Sequence, residues 1–328
     1  MKTISLAIVG ATGVVGRKFL EVIAERNIPL SKLVLFASSR SAGQTLTFRG
    51  QVYTVLELNE ENIKAQQVDF ALFSAGGETA KRFAPIFAAQ QCIVIDNSSA
   101  FRMDESVPLV VPEVNASDAF NHHYIIANPN CSTIQAVLIL KPLHDHFTLR
   151  RIVISTYQAV SGAGINGITD LQEQRLGDNL TKFPYPIFNN VIPHIDVFVE
   201  NGNTKEEEKI ILETRKILHL PTLRVSSTSV RVPVLNCHSE SINLEFEKQF
   251  DEQQVKKILT NSPGVVVYDD PHHLIYPMPS VVDQQDDVYV GRIRRDESLD
   301  SGLNLFVVGD NLRKGAATNA VQILSLFL

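Results

Sequence analysis

The sequence predicts an α/β protein of two domains, an N-terminal doubly wound parallel sheet followed by an α+β domain with a mixed sheet. Three observations predict it. At 328 residues the chain exceeds what one small core accommodates and divides most naturally in two. Short apolar runs alternate with amphipathic ones up to about residue 130, and those short runs are apolar on both faces, as strands covered by helices on both sides must be. Beyond residue 130 the strand-like runs lie between long irregular or helical segments, which fits a mixed sheet.

Along the first domain, Thr3 to Val9 reads as a buried strand, the loop from Gly10 to Gly16 follows, and an amphipathic helix runs to about Arg26. A second strand, Leu33 to Ala37, completes a βαβ unit, so this domain is expected to be Rossmann-like. Further strands are expected at 70–73, 93–95, 109–111 and 124–127, with a helix from about Glu78 to Gln90. In the second domain a helix is expected from Ser132 to about His144, kinked or ended by Pro142. Strands are expected at 152–160, 224–234, 241–246, 288–292 and 304–308. The run from Lys314 to Leu328 reads as a final amphipathic helix. The expected division is therefore 1–129, with the segment 312–328 packing back on it, and 130–311 as the second, α+β domain.

Composition excludes several function classes. A formal net charge of −6 and the lack of a basic tract with interleaved aromatics give no reason to expect nucleic acid. The three cysteines, Cys92, Cys131 and Cys237, form no disulfide framework and no CxxC pair, so no structural metal is expected and a reducing cytoplasm suits them. Gly10, Gly13 and Gly16 interrupt the apolar run after Met1-Lys2 too early for a targeting segment. No run is long enough to span a membrane.

The glycine loop carries the first chemical signal. In a strand–loop–helix unit, backbone N–H groups and the helix dipole meet a dinucleotide pyrophosphate at close range, and glycines permit that approach. Gly10, Thr12, Gly13, Val14 and Val15 are therefore candidate cofactor residues, against the alternative of a tight βα turn. At the end of the second strand stand Ser38, Ser39 and Arg40 in place of the acidic residue that bonds a ribose 2′-hydroxyl. Two hydroxyls and a guanidinium suit a 2′-phosphate, which favours NADP over NAD. Ser74, Ala75 and Gly76 follow another strand end and are expected to line the same cofactor.

The second signal is Asn130-Cys131-Ser132, which sets a thiol at the start of a helix. Unpaired N–H groups and the positive end of the dipole there favour the thiolate. Cys131 is thus a candidate nucleophile, with a buried inert thiol as the alternative. Cys92 opens an apolar strand and is more simply a core residue. Among nine histidines, His238 is the most suggestive acid/base. On one flat strand its seven-residue separation from Arg231 would aim the two side chains oppositely, unless Pro233 introduces a bend. Arg102 follows a strand end and is able to bind an anion. Glu206 and Lys209 lie near the start of a charged helix, where simple solvation is the default.

Together these residues resemble the aspartate-β-semialdehyde dehydrogenase family. The matches are GATGVVG at 10–16, SSR at 38–40, NSSAFR at 97–102, NPNCST at 128–133, YQAVSGAG at 157–164, RVPVLNCH at 231–238 and GDNLRKGAA at 309–317. The resemblance implies reversible NADP-dependent reductive dephosphorylation of L-aspartyl 4-phosphate to L-aspartate 4-semialdehyde through a cysteine thioester, in lysine, threonine and methionine biosynthesis. It implies a homodimer built through the second domain, with aspartate semialdehyde and inorganic phosphate as small-molecule partners. By the same resemblance Cys131 is the nucleophile, His238 the acid/base and Gln158 an orienting group. Arg231 would hold the substrate carboxylate, Glu206 its amino group, and Arg102, Lys209 and Asn130 the phosphate. Ser161, Gly162 and Asn311 would contact the cofactor. One departure is that Thr204-Lys205-Glu206-Glu207-Glu208-Lys209 lacks the aromatic or apolar residue often found before this lysine. Rival readings are an N-acetyl-glutamyl-phosphate reductase, whose nucleophile motif usually resembles PGCY, a non-catalytic dinucleotide-binding redox sensor, and a Cys–His hydrolase, which leaves the phosphate loop unexplained.

Overall fold

The computed structural model describes residues 2–174 and 182–328. The chain forms two compact units, one comprising residues up to Pro129 together with Ala316–Leu328, the other Asn130–Gly315.

The first unit contains β1 (Ile4–Val9), α1 (Val14–Glu25), β2 (Leu30–Ala37), β3 (Thr45–Phe48), β4 (Gln51–Glu57), α2 (Glu60–Ala65), β5 (Phe70–Phe73), α3 (Gly77–Ala88), β6 (Ile93–Asp96), α4 (Pro112–Asn115) and β7 (Ile125–Ala127). Its seven-stranded sheet has the order β3-β4-β2-β1-β5-β6-β7 and is parallel except for the β3–β4 hairpin. The sequence gives no apolar run for that hairpin because edge strand β3 alternates between exposed and buried and β4 fully buries only Val55. The expected strand at 109–111 is a single bridge from Leu109 to Ala127, after which Pro112 opens α4. Proline suits a helix's first position, where its missing N–H is not needed.

Chain order reverses between β1 and β5, so the loops leaving both strands meet at the carboxyl end of the sheet, the usual ligand crevice of such folds. Gly10 makes that meeting possible. Its φ is +84°, and a Cβ there would lie 2.3 Å from the Ser74 carbonyl oxygen.

The second unit contains α5 (Cys131–Phe147), β8 (Leu149–Gln158), α6 (Ile165–Gln174), α7 (Lys205–Ile217), β9 (Arg224–Arg231), β10 (His238–Phe246), α8 (Glu252–Thr260), β11 (Val265–Val267), α9 (Pro279–Val282), β12 (Val288–Asp296) and β13 (Gly302–Gly309). Its six-stranded mixed sheet has the order β11-β12-β13-β10-β8-β9. The two-domain α/β architecture expected from the sequence is therefore present.

Two helix expectations need correction. Pro142 does not end α5, which continues to Phe147. An interior proline costs about 3 kcal/mol. Burial of Leu143 and Phe147, each worth about 1.5–3 kcal/mol, offsets it, and Phe147 packs against Phe246 and Phe250 at ring distances of 5.5 and 5.8 Å. The C-terminal segment begins as a π-helical turn, Arg313–Ala317, before α10 (Thr318–Ser325). In the first unit α10 buries Ala320, Val321, Ile323 and Leu324 in the same core as Phe19 and Ile23 of α1. Among the described residues no helix is long and apolar enough to cross a membrane.

Gly10→Ala should destabilise the protein by about 1–3 kcal/mol through strain and the Ser74 clash. Gly77→Ala, with nothing within 4 Å of the new methyl, should be tolerated. Urea midpoints of the two variants check this; equal midpoints would remove the close-approach argument.

Candidate active site

Cys131 is the first residue of α5, and the chain enters the helix through Asn130 in extended conformation. The Asn130 Oδ1 accepts the Ser132 and Thr133 N–H groups at 2.9 and 3.2 Å, a side-chain cap. Its Nδ2 donates to Glu206 Oε1 at 2.8 Å, and its backbone N–H donates to Glu213 Oε2 at 2.6 Å. A Cβ on Gly315 would lie 2.9 Å from the Cys131 Cβ, so a glycine is what lets that chain segment lie against the thiol residue.

α7 supplies the opposing charges. Its Thr204–Glu207 capping box fixes where the helix starts and therefore which side chains face Asn130. Glu206 is buried, and its Oε1 also accepts Gln158 Nε2 at 3.1 Å. Burial pushes its carboxyl up, but Lys209, Asn130 and Gln158 together outweigh burial and hold it below the ordinary range. Lys209 Nζ reaches Glu206 Oε2 at 3.1 Å and Asp196 Oδ2 at 2.8 Å. Burial opposes its charge, whereas the two carboxylates raise its pKa.

The Arg231–His238 pair departs from the one-strand picture. β9 ends at Arg231 and β10 begins at His238, with β8 between them in the sheet. The seven-residue parity argument fails because the two residues occupy different strands. Both converge on the end of β8, where Gln158 pairs with Arg231. The Ala159 peptide orients the two side chains, its N–H donating to His238 Nδ1 at 3.0 Å and its C=O accepting from Arg231 at 2.6 Å. A Cβ on Gly162 would stand 3.1–3.3 Å from His238 Cε1, His238 Nε2 and an Arg231 guanidinium nitrogen, so glycine leaves these tips open.

With Nδ1 accepting, the neutral ring carries its proton on Nε2. That Nε2 is buried and has no hydrogen-bond partner among the described residues, which leaves it for a ligand. Burial, assisted by the Arg231 charge, pushes the His238 pKa down to about 3. Cys237 precedes it with φ of +70°, and its N–H donates to Asn311 Oδ1 at 2.9 Å. Burial pushes the Cys237 thiol far up, with Asp310 adding to the effect, so it is a poor nucleophile.

Several of the sequence-predicted residues are thus brought together in this unit: Asn130, Gln158, Glu206 and Lys209 in one hydrogen-bonded group, Arg231 and His238 around Ala159. Ser161 and Asn311 are buried and bond each other at 3.0 Å. Arg102 belongs to the first unit, where it is buried and donates to the Asn97 carbonyl at 2.9 Å. Asp196, Glu213, Ala159 and Gly315 escape sequence reasoning, because each acts through a contact between distant segments.

The first unit's loop residues fit a dinucleotide. Gly13 caps α1 with no side-chain hydrogen bond, and the first turn holds no acidic residue, so its N–H groups suit an anion. Ser38, Ser39 and Arg40 are exposed directly after β2, and Gly76 opens α3 with φ of +83° and open space around it.

Comparison with known proteins places the chain in a family. Residues 5–122 match the semialdehyde dehydrogenase NAD binding domain and residues 140–314 the semialdehyde dehydrogenase dimerisation domain. An aspartate-semialdehyde dehydrogenase of Aquifex aeolicus is 54% identical, covering 98% of this chain and 97% of its own. A Vibrio cholerae aspartate semialdehyde dehydrogenase II complexed with ASA superposes with a TM-score of 0.96 at 44% identity, covering 100% of this chain and 98% of its own. A Candida albicans aspartate semialdehyde dehydrogenase with NADP gives 0.79 at 26% identity, covering 99% and 98%. The class is that of the semialdehyde dehydrogenases. Within it, the chain belongs to the aspartate-semialdehyde dehydrogenase family. These relatives support neither the N-acetyl-glutamyl-phosphate reductase nor the redox-sensor reading.

The depressed His238 pKa has a testable sign. Unfolded, the imidazole titrates near 6.5; folded, near 3. Between these values the unfolded chain binds the extra proton, so stability is full above the upper value and falls as pH drops through the window. His238→Asn should therefore lose less stability than the wild type between about pH 7 and about pH 5. Urea unfolding at both pH values measures it, and identical losses would contradict a buried neutral ring.

Proposed function

We propose that the chain catalyses reversible, NADP-dependent reductive dephosphorylation of L-aspartyl 4-phosphate to L-aspartate 4-semialdehyde through a thioester on Cys131. The observation that carries this reading is the capped start of α5. It sets a thiol at a helix N-terminus in the same unit as a buried cation, Arg231, and a buried imidazole whose Nε2 has no hydrogen-bond partner among the described residues.

In the biosynthetic direction the Cys131 sulfur attacks the acyl carbon, the C–S bond forms, and the bond to the phosphate oxygen breaks. Lys209 and Arg102 would balance the charge of the departing phosphate, with Asn130 as a neighbouring neutral contact. Arg231 holds the substrate carboxylate and Glu206 its ammonium, so substrate charges meet opposite charges in a buried setting. Gln158 orients the reacting carbonyl. The dinucleotide, when bound, supplies hydride to the acyl carbon. His238 Nε2–H donates to the oxygen on which negative charge develops, and collapse of the hemithioacetal frees aldehyde and the Cys131 sulfur. Gly10, Thr12, Gly13, Val14, Val15, Ser74, Ala75 and Gly76 would hold the dinucleotide's phosphates, Ser38, Ser39 and Arg40 the 2′-phosphate, and Ser161, Gly162 and Asn311 its nicotinamide end.

We also propose a homodimer through the second unit, where Tyr185, Phe188, Val191, Val197 and Phe198 expose apolar side chains. Three cysteines outside any disulfide suit a cytoplasmic location.

With aspartate semialdehyde supplied, reduction of NADP should depend on inorganic phosphate and be faster than reduction of NAD. Turnover that ignores phosphate would sink the acyl-phosphate assignment. Cys131→Ala should abolish turnover, and His238→Gln should slow it by roughly 10²-fold or more. Arg40→Glu should raise KM for NADP while sparing NAD; an unchanged ratio of the two would remove the 2′-phosphate role.

A further inference from the structure

Glu213 has no place in the chemistry above, yet its carboxylate is 1% exposed and lies against the residue ahead of the nucleophile. It stands seven residues beyond Glu206 and four beyond Lys209, two turns and one turn along the same face of α7. Burying a carboxylate is costly unless charge-assisted hydrogen bonds offset it. One of those it makes is the 2.6 Å bond from the Asn130 backbone N–H.

The position of that bond is informative. In a complete capping box the N-cap side chain accepts from the helix, while a Glu or Gln at the third helical position reaches back to the N-cap backbone N–H. α7 has both halves within one chain segment, through Thr204 and Glu207. α5 has only the first half. Its third residue is Thr133, too short to reach back, and the Thr133 hydroxyl has no hydrogen-bond partner among the described residues. Glu213 fills the second half from another helix.

We propose that Glu213 is a positioning residue for Cys131, completing the α5 capping box from α7 and so fixing the direction in which the thiol leaves the helix start. The proposal rests on Cys131 as nucleophile. Asn130 is then held at three points, and the Pro129–Asn130 peptide, one ahead of the peptide that enters Cys131, cannot rotate without breaking a buried charged bond. Reach, more than charge, is what this role requires. A glutamine keeps an acceptor oxygen at the same distance, whereas an aspartate keeps the charge but withdraws it by about 1.5 Å.

The test compares Glu213→Gln with Glu213→Asp in the full chain. Readouts are kcat, KM for aspartate semialdehyde and for phosphate, and the rate at which iodoacetamide alkylates Cys131 in the free protein, followed by mass spectrometry. Glu213→Asp should lower kcat and the alkylation rate by roughly tenfold or more, with both KM values held, as misplacement of a reacting group does. Glu213→Gln should restore most of both rates. Wild-type rates in Glu213→Asp would overturn the proposal, as would an equal loss in both variants, which would point to charge or packing. If the aspartate variant does not fold, Glu213→Asn provides the same short reach without a buried charge and is held to the same two outcomes. Turnover in Cys131→Ala separately tests the nucleophile, while the alkylation comparison still reports whether Glu213 positions that thiol.

Discussion

Asn130 must act as acceptor toward one helix and as donor toward another, and the geometry around the thiol depends on its doing both. Its Oδ1 takes the first N–H groups of α5, and its Nδ2 gives to the buried Glu206 carboxylate 2.8 Å away. An aspartate would cap α5 about as well but would set a second carboxylate against Glu206. A serine would cap but lacks a donor that reaches as far. Asparagine alone among the good caps serves both helices, and the Glu206 charge owes part of its stability to that amide. The helix that starts at Cys131 and the group proposed as the substrate's ammonium partner are therefore coupled through one side chain.

A second coupling runs through the Ala159 peptide. Because β8 lies between β9 and β10, the last residue of one neighbour and the first of the other arrive at the same end of the sheet. Ala159 offers an N–H to His238 and a C=O to Arg231 there. The arginine's charge and the burial both disfavour imidazolium, and the amide fixes the tautomer. In the proposed reaction, a neutral ring with its proton on Nε2 would stabilise developing negative charge on a reacting oxygen without first acquiring a proton from solvent. It also keeps two cations from facing each other in a buried place.

The sequence is legible where the determinant is local. The glycine loop, the hydroxyl pair with Arg40 and the capped cysteine each lie within a few consecutive residues, and the alternation of apolar runs reflects coverage of the first sheet on both faces. It is less legible where packing decides. Pro142 carries a correct local cost that Leu143 and Phe147 outweigh by burial, and the β3–β4 hairpin is too exposed to leave an apolar run. The Arg231–His238 spacing misleads for a different reason. Parity holds within one strand, and six residues between strand ends abolish it. Glu213, Asp196 and Gly315 carry no local mark, since their partners are Asn130, Lys209 and Cys131, each more than ten residues away in sequence.

The three consecutive glutamates of α7 show how far residue type underdetermines role. Glu206 turns to Asn130 and Gln158. Glu207 closes the capping box and accepts the Ser229 N–H at 2.9 Å. Glu208 accepts from the side chains of Asn201 and Asn203, which hold its carboxyl below the ordinary range. Each residue advances the helix by about 100°, so identical side chains face a candidate site, a strand and a loop in turn. The phase is set at Thr204, where the capping box starts the helix. A start displaced by one residue would set a different glutamate against Asn130 and carry Lys209 and Glu213 out of line with it. The charge pattern of the site is thus a consequence of where one helix begins.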